Sequence, residues 1–289
     1  MIFDPLIPFQ YDYMQKAIWV STLVGGVCGL LSCFMTLKGW SLMGDALSHS
    51  IIPGVVVAYG LGLPIAVGAF VAGLLAAGLI GWIKEIVSLR DDAMIGVVFT
   101  TFFAIGLLLI SLYPSPINLK MIVFGNILGI SDQDIRQLLW ISAICLITIL
   151  LLWRDLFLWC FDPIQARVIG FPVRFLKFIL LSLLTLTAVA ALQTVGVCLV
   201  VAMLVTPGAT AYLLTDRFSS MMGIAFFLGA ITSFLGAYFS YFLDGSVGGS
   251  IIVLQTIIFL LAWIYAPKHG ILAMKKGKNL SLLTEVKQT

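Results

Sequence analysis

Two side chains able to bind a cation stand where a membrane-spanning helix is expected. The segment runs Trp40-Ser41-Leu42-Met43-Gly44-Asp45-Ala46-Leu47-Ser48-His49-Ser50-Ile51-Ile52-Pro53-Gly54. Asp45 and His49 are four apart, so on a helix they share a face. At about 1.5 Å per residue they lie one to two turns inside the span. A charge at mid-bilayer costs about 2.5–3.5 kcal/mol on insertion scales, which makes such a residue a functional candidate by default. A carboxylate oxygen beside an imidazole nitrogen suits manganese, ferrous iron or zinc. The same pair could relay protons, or could be an ion pair stapling two helices. Two ligands do not complete a metal site. The others must come from further helices or from a second copy of the chain.

Two more segments carry information. In Phe161-Asp162-Pro163-Ile164-Gln165-Ala166-Arg167-Val168-Ile169-Gly170-Phe171-Pro172, Asp162 can cap a helix and Pro163 fits its first turn. Gly170 can end it and Pro172 blocks continuation. The pattern predicts a helix of about two turns, bounded at both ends, between two spans. It reads either as a surface connector or as a knob for a groove on another protein. Further on, Gly196 to Thr210 contains Thr206-Pro207-Gly208 inside an apolar run. Pro207 removes a backbone hydrogen bond and can kink the helix. Thr206 and the freed carbonyls could line a pathway, whereas Met203 and Cys198 read as packing.

The elements that position these residues follow from composition. Of 289 residues, 61% are hydrophobic and 10% charged, with a mean hydropathy of +1.14. Soluble domains run at about 45–50% and about 25%. The excess excludes an ordinary soluble enzyme, a disordered chain and a disulfide scaffold, and leaves an all-α integral membrane protein. Nine candidate spans lie near 15–37, 41–62, 64–84, 93–113, 136–153, 175–193, 195–214, 220–243 and 249–266. One re-entrant segment would reduce them to eight. Each must be helical, because lipid offers no partners to a free backbone. Basic residues concentrate in loop 154–174 and in tail 267–289, which should both be cytoplasmic. Alternation then places 38–40, 85–92 and 215–219 on the same side. Of 16 basic residues only Lys16, Lys120 and Arg136 fall outside. The N-terminal region, with Asp4 and Asp12 and no basic cluster, does not read as a cleavable signal.

Gly25 and Gly29 form a GxxxG in the first span, and Ala69, Gly73, Ala77 and Gly81 line one face of the third. Both patterns predict close helix packing. The five cysteines, Cys28, Cys33, Cys145, Cys160 and Cys198, form no CxxC pair and read as buried thiols. Gly277-Lys278 is followed by Asn279, so there is no Walker A sequence, and HExxH and GxSxG are also missing. ATP, if it drives the protein, must be hydrolysed by another chain.

These segments carry a resemblance. Leu37-Lys38-Gly39-Trp40-Ser41-Leu42 leads to Gly44-Asp45-Ala46-Leu47-Ser48-His49-Ser50 and Pro53-Gly54. Asp162-Pro163, Ala166-Arg167 and Gly170 follow, then Gln193-Thr194-Val195-Gly196 through Thr206-Pro207-Gly208-Ala209-Thr210. Tyr238 to Leu243 with Asp244-Gly245, and Ala266-Pro267-Lys268-His269-Gly270, complete the series. In order and spacing the chain resembles the permeases of bacterial ABC importers for manganese, zinc and iron. Within that family it is most similar to the manganese and iron importers of Gram-negative bacteria and cyanobacteria.

The resemblance implies one permease domain over 1–289 in the bacterial inner membrane, similar in fold to the cobalamin and metal-chelate importer permeases. It implies a homodimer, two cytoplasmic ATPase subunits that alone bind ATP, and an extracytoplasmic metal-binding protein. The lipid bilayer is the remaining partner; no nucleic acid and no resident cofactor are expected. Metal coordination maps to Asp45 and His49. The coupling helix maps to 162–170, with Asp162, Pro163, Ala166, Arg167 and Gly170 toward the ATPase; Thr206 and Pro207 mark the pathway helix. The competing readings are a self-sufficient proton-coupled metal transporter and a permease for a chelate or vitamin.

Overall fold

The computed structural model describes residues 6–87, 90–112, 129–266 and 270. Among the described residues eleven α-helices follow a 3-10 turn at Ile7–Gln10. They are α1 Asp12–Lys38, α2 Met43–Ser50, α3 Ile52–Gly60, α4 Ile65–Ile86, α5 Asp91–Leu112 and α6 Asp132–Phe161. After them come α7 Pro163–Val168, α8 Val173–Val195, α9 Val197–Leu214, α10 Phe218–Phe242 and α11 Val247–Tyr265. Among the described residues there is no strand. Seven of these helices are long and apolar enough to cross a membrane, and α9 is a shorter apolar helix. The pair α2–α3 occupies the remaining expected span. Of the tail 267–289 only Gly270 is among the described residues.

Helix α1 sits at the centre and packs on α6, α8, α9 and α10. Its closest approach is to α10. A Cβ on Gly29 would drive into the Ala225 carbonyl, and one on Gly25 into the Gly229 carbonyl and the Ser233 hydroxyl. The first-span GxxxG therefore does what small residues do in lipid, bringing two backbones together. The α4 ladder is also a packed face: Ala69 and Ala77 are buried, Gly73 meets Thr185 and Gly81 meets Lys177 on α8. Cys28, Cys33, Cys145 and Cys160 are free and buried, as expected of structural thiols; the Cys198 side chain lies outside the described residues.

Two elements differ from the hydropathy reading. The second span is not one helix: it breaks at Ile51 into α2 and α3. Pro53 has no N–H for the His49 carbonyl four residues back, so the ladder stops there. That carbonyl accepts from Ile51 instead. The fifth span also exceeds 136–153. Helix α6 starts at Asp132, with the Ser131 hydroxyl accepting from the Asp134 amide at 3.2 Å, and continues to Phe161. Hydropathy falls at Arg154 and Asp155, but a helix does not stop because its surface becomes polar.

Segments assigned to one side by charge meet at one end of the bundle. Lys38 reaches Trp159, Trp40 reaches Asp91, and Phe218 stacks on Phe157 at 4.6 Å. At the other end Lys16 pairs with Asp12 at 3.2 Å and Asp132 at 2.8 Å, and Tyr11 lies 5.9 Å from Tyr241.

Candidate metal pair and partner-facing helix

Helix α2 is only eight residues long, too short to be stable in isolation. It is held by packing against α4, α5, α8 and α9. Gly44 lets α9 approach, with the Leu204 side chain 3.4 Å from where a Cβ would stand. Met43, Leu47 and Ser48 are buried, and the Ser48 hydroxyl donates to the Gly44 carbonyl at 2.8 Å.

The pair is brought together as its spacing predicted. His49 Nε2 lies 3.4 Å from Asp45 Oδ1. The side chains are 24% and 41% exposed, so both reach an open face. The imidazole is walled by two rings of α5, Phe99 and Phe103, each 5.3 Å away between centroids. These walls orient the ring without competing for its nitrogens. Nδ1 is buried with no hydrogen-bond partner among the described residues, as is Ser50 Oγ. Among the described residues no cluster of three His, Cys, Asp or Glu forms. The described residues supply two candidate ligands at this point, and His269 lies outside them.

Helix α7 forms as its flanking residues predict. Asp162 Oδ1 accepts from the Ile164 and Gln165 amides, both at 2.9 Å. Pro163 is its first residue, and Gly170 at φ +93° closes it in a conformation that favours glycine. Ala166 is fully buried and anchors the helix. Arg167 is exposed, and so are Ile164 and Val168, which share a face four residues apart. The sequence reading named Asp162, Pro163, Ala166, Arg167 and Gly170 here and did not name Ile164 or Val168.

Helix α9 meets α2 through Val201 and Leu204. Thr206 and Pro207 face elsewhere. With Thr210, Thr232 and Gln255 they line a cavity of about 10 Å³ shared with α10 and α11. Gln255 is buried there and donates Nε2 to Thr232 Oγ1 at 3.1 Å. It was not legible in advance, since one amide in an apolar run signals little.

The fold defines a multi-pass membrane protein, and the relatives that follow make it a transport component of the inner membrane. The chain belongs to the ABC 3 transport family, which it matches over residues 10–266. It is 55% identical over 275 residues to the chelated iron transport system membrane protein YfeC of Yersinia pestis, covering 95% of this chain and 94% of the relative. It is 53% identical over 272 residues to the manganese transport system membrane protein MntB of Synechocystis, covering 94% and 89%. PsaBC from Streptococcus pneumoniae, solved in complex with Fab, superimposes with a TM-score of 0.85 at 39% identity, covering 95% of this chain and all of that one. The self-sufficient proton-coupled reading has no support among these relatives.

Proposed function

We propose that this chain is the permease of an ATP-driven importer for divalent transition metal ions, manganese first, with iron or zinc as alternatives. Asp45 and His49 are ligands on its path. The carrying observation is the 3.4 Å between Nε2 and Oδ1. That is longer than the roughly 2.7–3.2 Å of a good hydrogen bond. Two ligand atoms each about 2.1 Å from one ion, at a tetrahedral angle, stand about 3.4 Å apart; at an octahedral angle, about 3.0 Å. The spacing leaves room for an ion held by both atoms, which supports the ligand reading.

An incomplete pair on an open face calls for a second copy. Gly96, Thr100 and Ala104 of α5 form a small-residue row one position from Phe99 and Phe103. Thr100 and Ala104 are exposed, and a Cβ on Gly96 would meet nothing within 4 Å. Small exposed residues every four positions suit close helix contact in lipid, so this row supports a homodimer with the two metal pairs near its seam. Energy enters from two separate ATPase subunits docking on α7, where Ile164 and Val168 supply apolar contact and Arg167 a cation for a carboxylate or helix C-terminus. An extracytoplasmic binding protein delivers the ion.

The test is radioactive manganese uptake by a transport-deficient strain expressing Asp45→Asn or His49→Ala. Both variants should insert at wild-type levels and transport nothing measurable. Wild-type uptake by either would make the pair structural.

A further inference from the structure

The metal pair and the partner-facing helix are far apart in sequence but share one junction. It is built from Lys38, Trp40 and Trp159. Pro163, the first residue of α7, has no N–H, so the carbonyl of Trp159 four residues earlier lacks its helical partner. Lys38 supplies one: its Nζ donates to Trp159 O at 3.0 Å and lies 4.3 Å from the Trp159 ring centroid. A cation is favoured at this helix C-terminus, and over this ring, on general grounds.

Trp40 is fixed just as tightly. Gly39 has φ +68°, its amide donates to Thr36 O at 3.2 Å, and the Trp40 amide donates to Met35 O at 3.0 Å. This pair of bonds is the Schellman ending of a helix, and it allows Trp40 little freedom. The Trp40 carbonyl then accepts from Met43, the first residue of α2, at 3.1 Å. The Trp40 ring meets Trp159 edge-on, centroids 6.3 Å apart, and both are buried. On its other side Trp40 Nε1 donates to Asp91 Oδ2 at 3.2 Å, and the same carboxylate pairs with Lys84.

We infer that Lys38 and Trp40 are positioning residues that join α7 to α2, so that displacement of α7 is delivered to Asp45 and His49 through the Trp159–Lys38–Trp40 contact. This rests on the reading of α7 as the ATPase contact and of Asp45 and His49 as the metal pair. Packed side chains and hydrogen bonds carry coupling only where they are contiguous. Here the steps from Trp159 to Lys38, from Trp159 to Trp40 and from Trp40 on to Met43 are each a direct bond or ring contact, and α7 joins Trp159 along the chain through Asp162, whose amide donates to Leu158 O at 2.8 Å. Asp91 and Lys84 tie the same indole to α5 and α4, so the junction moves against a fixed point.

The experiment uses the permease reconstituted with its ATP-hydrolysing partner in proteoliposomes, with Mn2+ as the probe. Lys38→Met keeps the stem and removes the ammonium; Trp40→Phe keeps a ring and removes the N–H. The Mn2+ imported per ATP hydrolysed should fall about tenfold in each, while Mn2+ binding to the purified permease stays within about twofold of wild type. The double variant should be no worse than either single one, because both cut the same link. Lys38→Arg should restore the ratio. If Trp40→Phe does not yield a monodisperse protein, Lys38→Met and its Arg rescue carry the test. A ratio within about twofold of wild type in Lys38→Met overturns the junction, as does a proportional fall of uptake and hydrolysis together. Asp45→Asn, run in parallel, separates the two claims. Undiminished uptake in that variant refutes the metal-pair reading, while loss of uptake there with an intact ratio in Lys38→Met refutes the junction alone.

Discussion

Asp162 is the residue on which helix α7 depends, and replacing it by alanine tests that dependence quantitatively. Its carboxylate accepts from the Ile164 and Gln165 amides, each at 2.9 Å. The helix has only six residues, and the bonds that close it are few, among them Ala166 N to Asp162 O at 3.1 Å and Ile169 N to Gln165 O at 3.0 Å. Losing an N-cap acid to alanine costs about 1 kcal/mol, whereas asparagine caps about as well as aspartate. One kcal/mol is roughly a fivefold change in the closed-to-open ratio. In a long helix that change would be diluted; here the cap is a large part of what holds the element. Amide hydrogen exchange of the detergent-solubilised permease should show the Ile164 and Gln165 amides opening about fivefold more often in Asp162→Ala, with Asp162→Asn close to wild type and α6 and α8 unaltered. Equal protection in wild type and Asp162→Ala would refute the reasoning. So would an Asp162→Asn variant that behaves like alanine, since charge rather than capping would then be at work.

Other consequences can be checked separately. Gly29→Val forces a side chain into the Ala225 carbonyl and should cost about 1–3 kcal/mol or more by overpacking, read as a lower thermal midpoint. Gly223→Ala on α10, where a Cβ meets nothing within 4 Å, should leave it level or raise it. Pro53→Ala restores an N–H opposite the His49 carbonyl; the midpoint should hold or rise while metal uptake falls, and a falling midpoint would show that packing, not proline, breaks the span. Arg167→Glu is a surface change that should leave stability within about 0.5 kcal/mol, yet abolish metal-stimulated ATP hydrolysis in the reconstituted complex.

Much of this was legible because it is local. Hydropathy placed the spans, and Asp162, Pro163 and Gly170 bounded α7, since capping and φ preference act within a few residues. The i, i+4 spacing of Asp45 and His49 was sufficient to set them on one face. What escaped is non-local or was masked by hydrophobicity. Pro53 lies in so apolar a run that transfer energy conceals the lost backbone bond. Arg154 and Asp155 ended the fifth span by composition, although α6 carries on past them. Phe99 and Phe103 wall His49, but two phenylalanines in an apolar helix are no signal by themselves. Trp40 and Asp91, separated by 51 residues, meet only because α2 and α5 pack.

The break at Ile51 determines how the pair can act. Asp45 and His49 belong to one short rigid helix, so their 3.4 Å spacing is set by helical geometry rather than by the packing of separate elements. Motion of α2 carries both ligands together and does not by itself pull them apart. The helix is a separate unit: Gly39 turns the chain before it, and Pro53 breaks the backbone ladder between it and α3. If the pair holds a cation, as proposed, separating Oδ1 from Nε2 would not be the step that releases it. On the proposed reading it would be released when a ligand from outside α2 is withdrawn, or when the Phe99 and Phe103 wall opens the face to water. On that reading, transport would depend on displacement of α2 relative to α5 and to whatever completes the coordination shell.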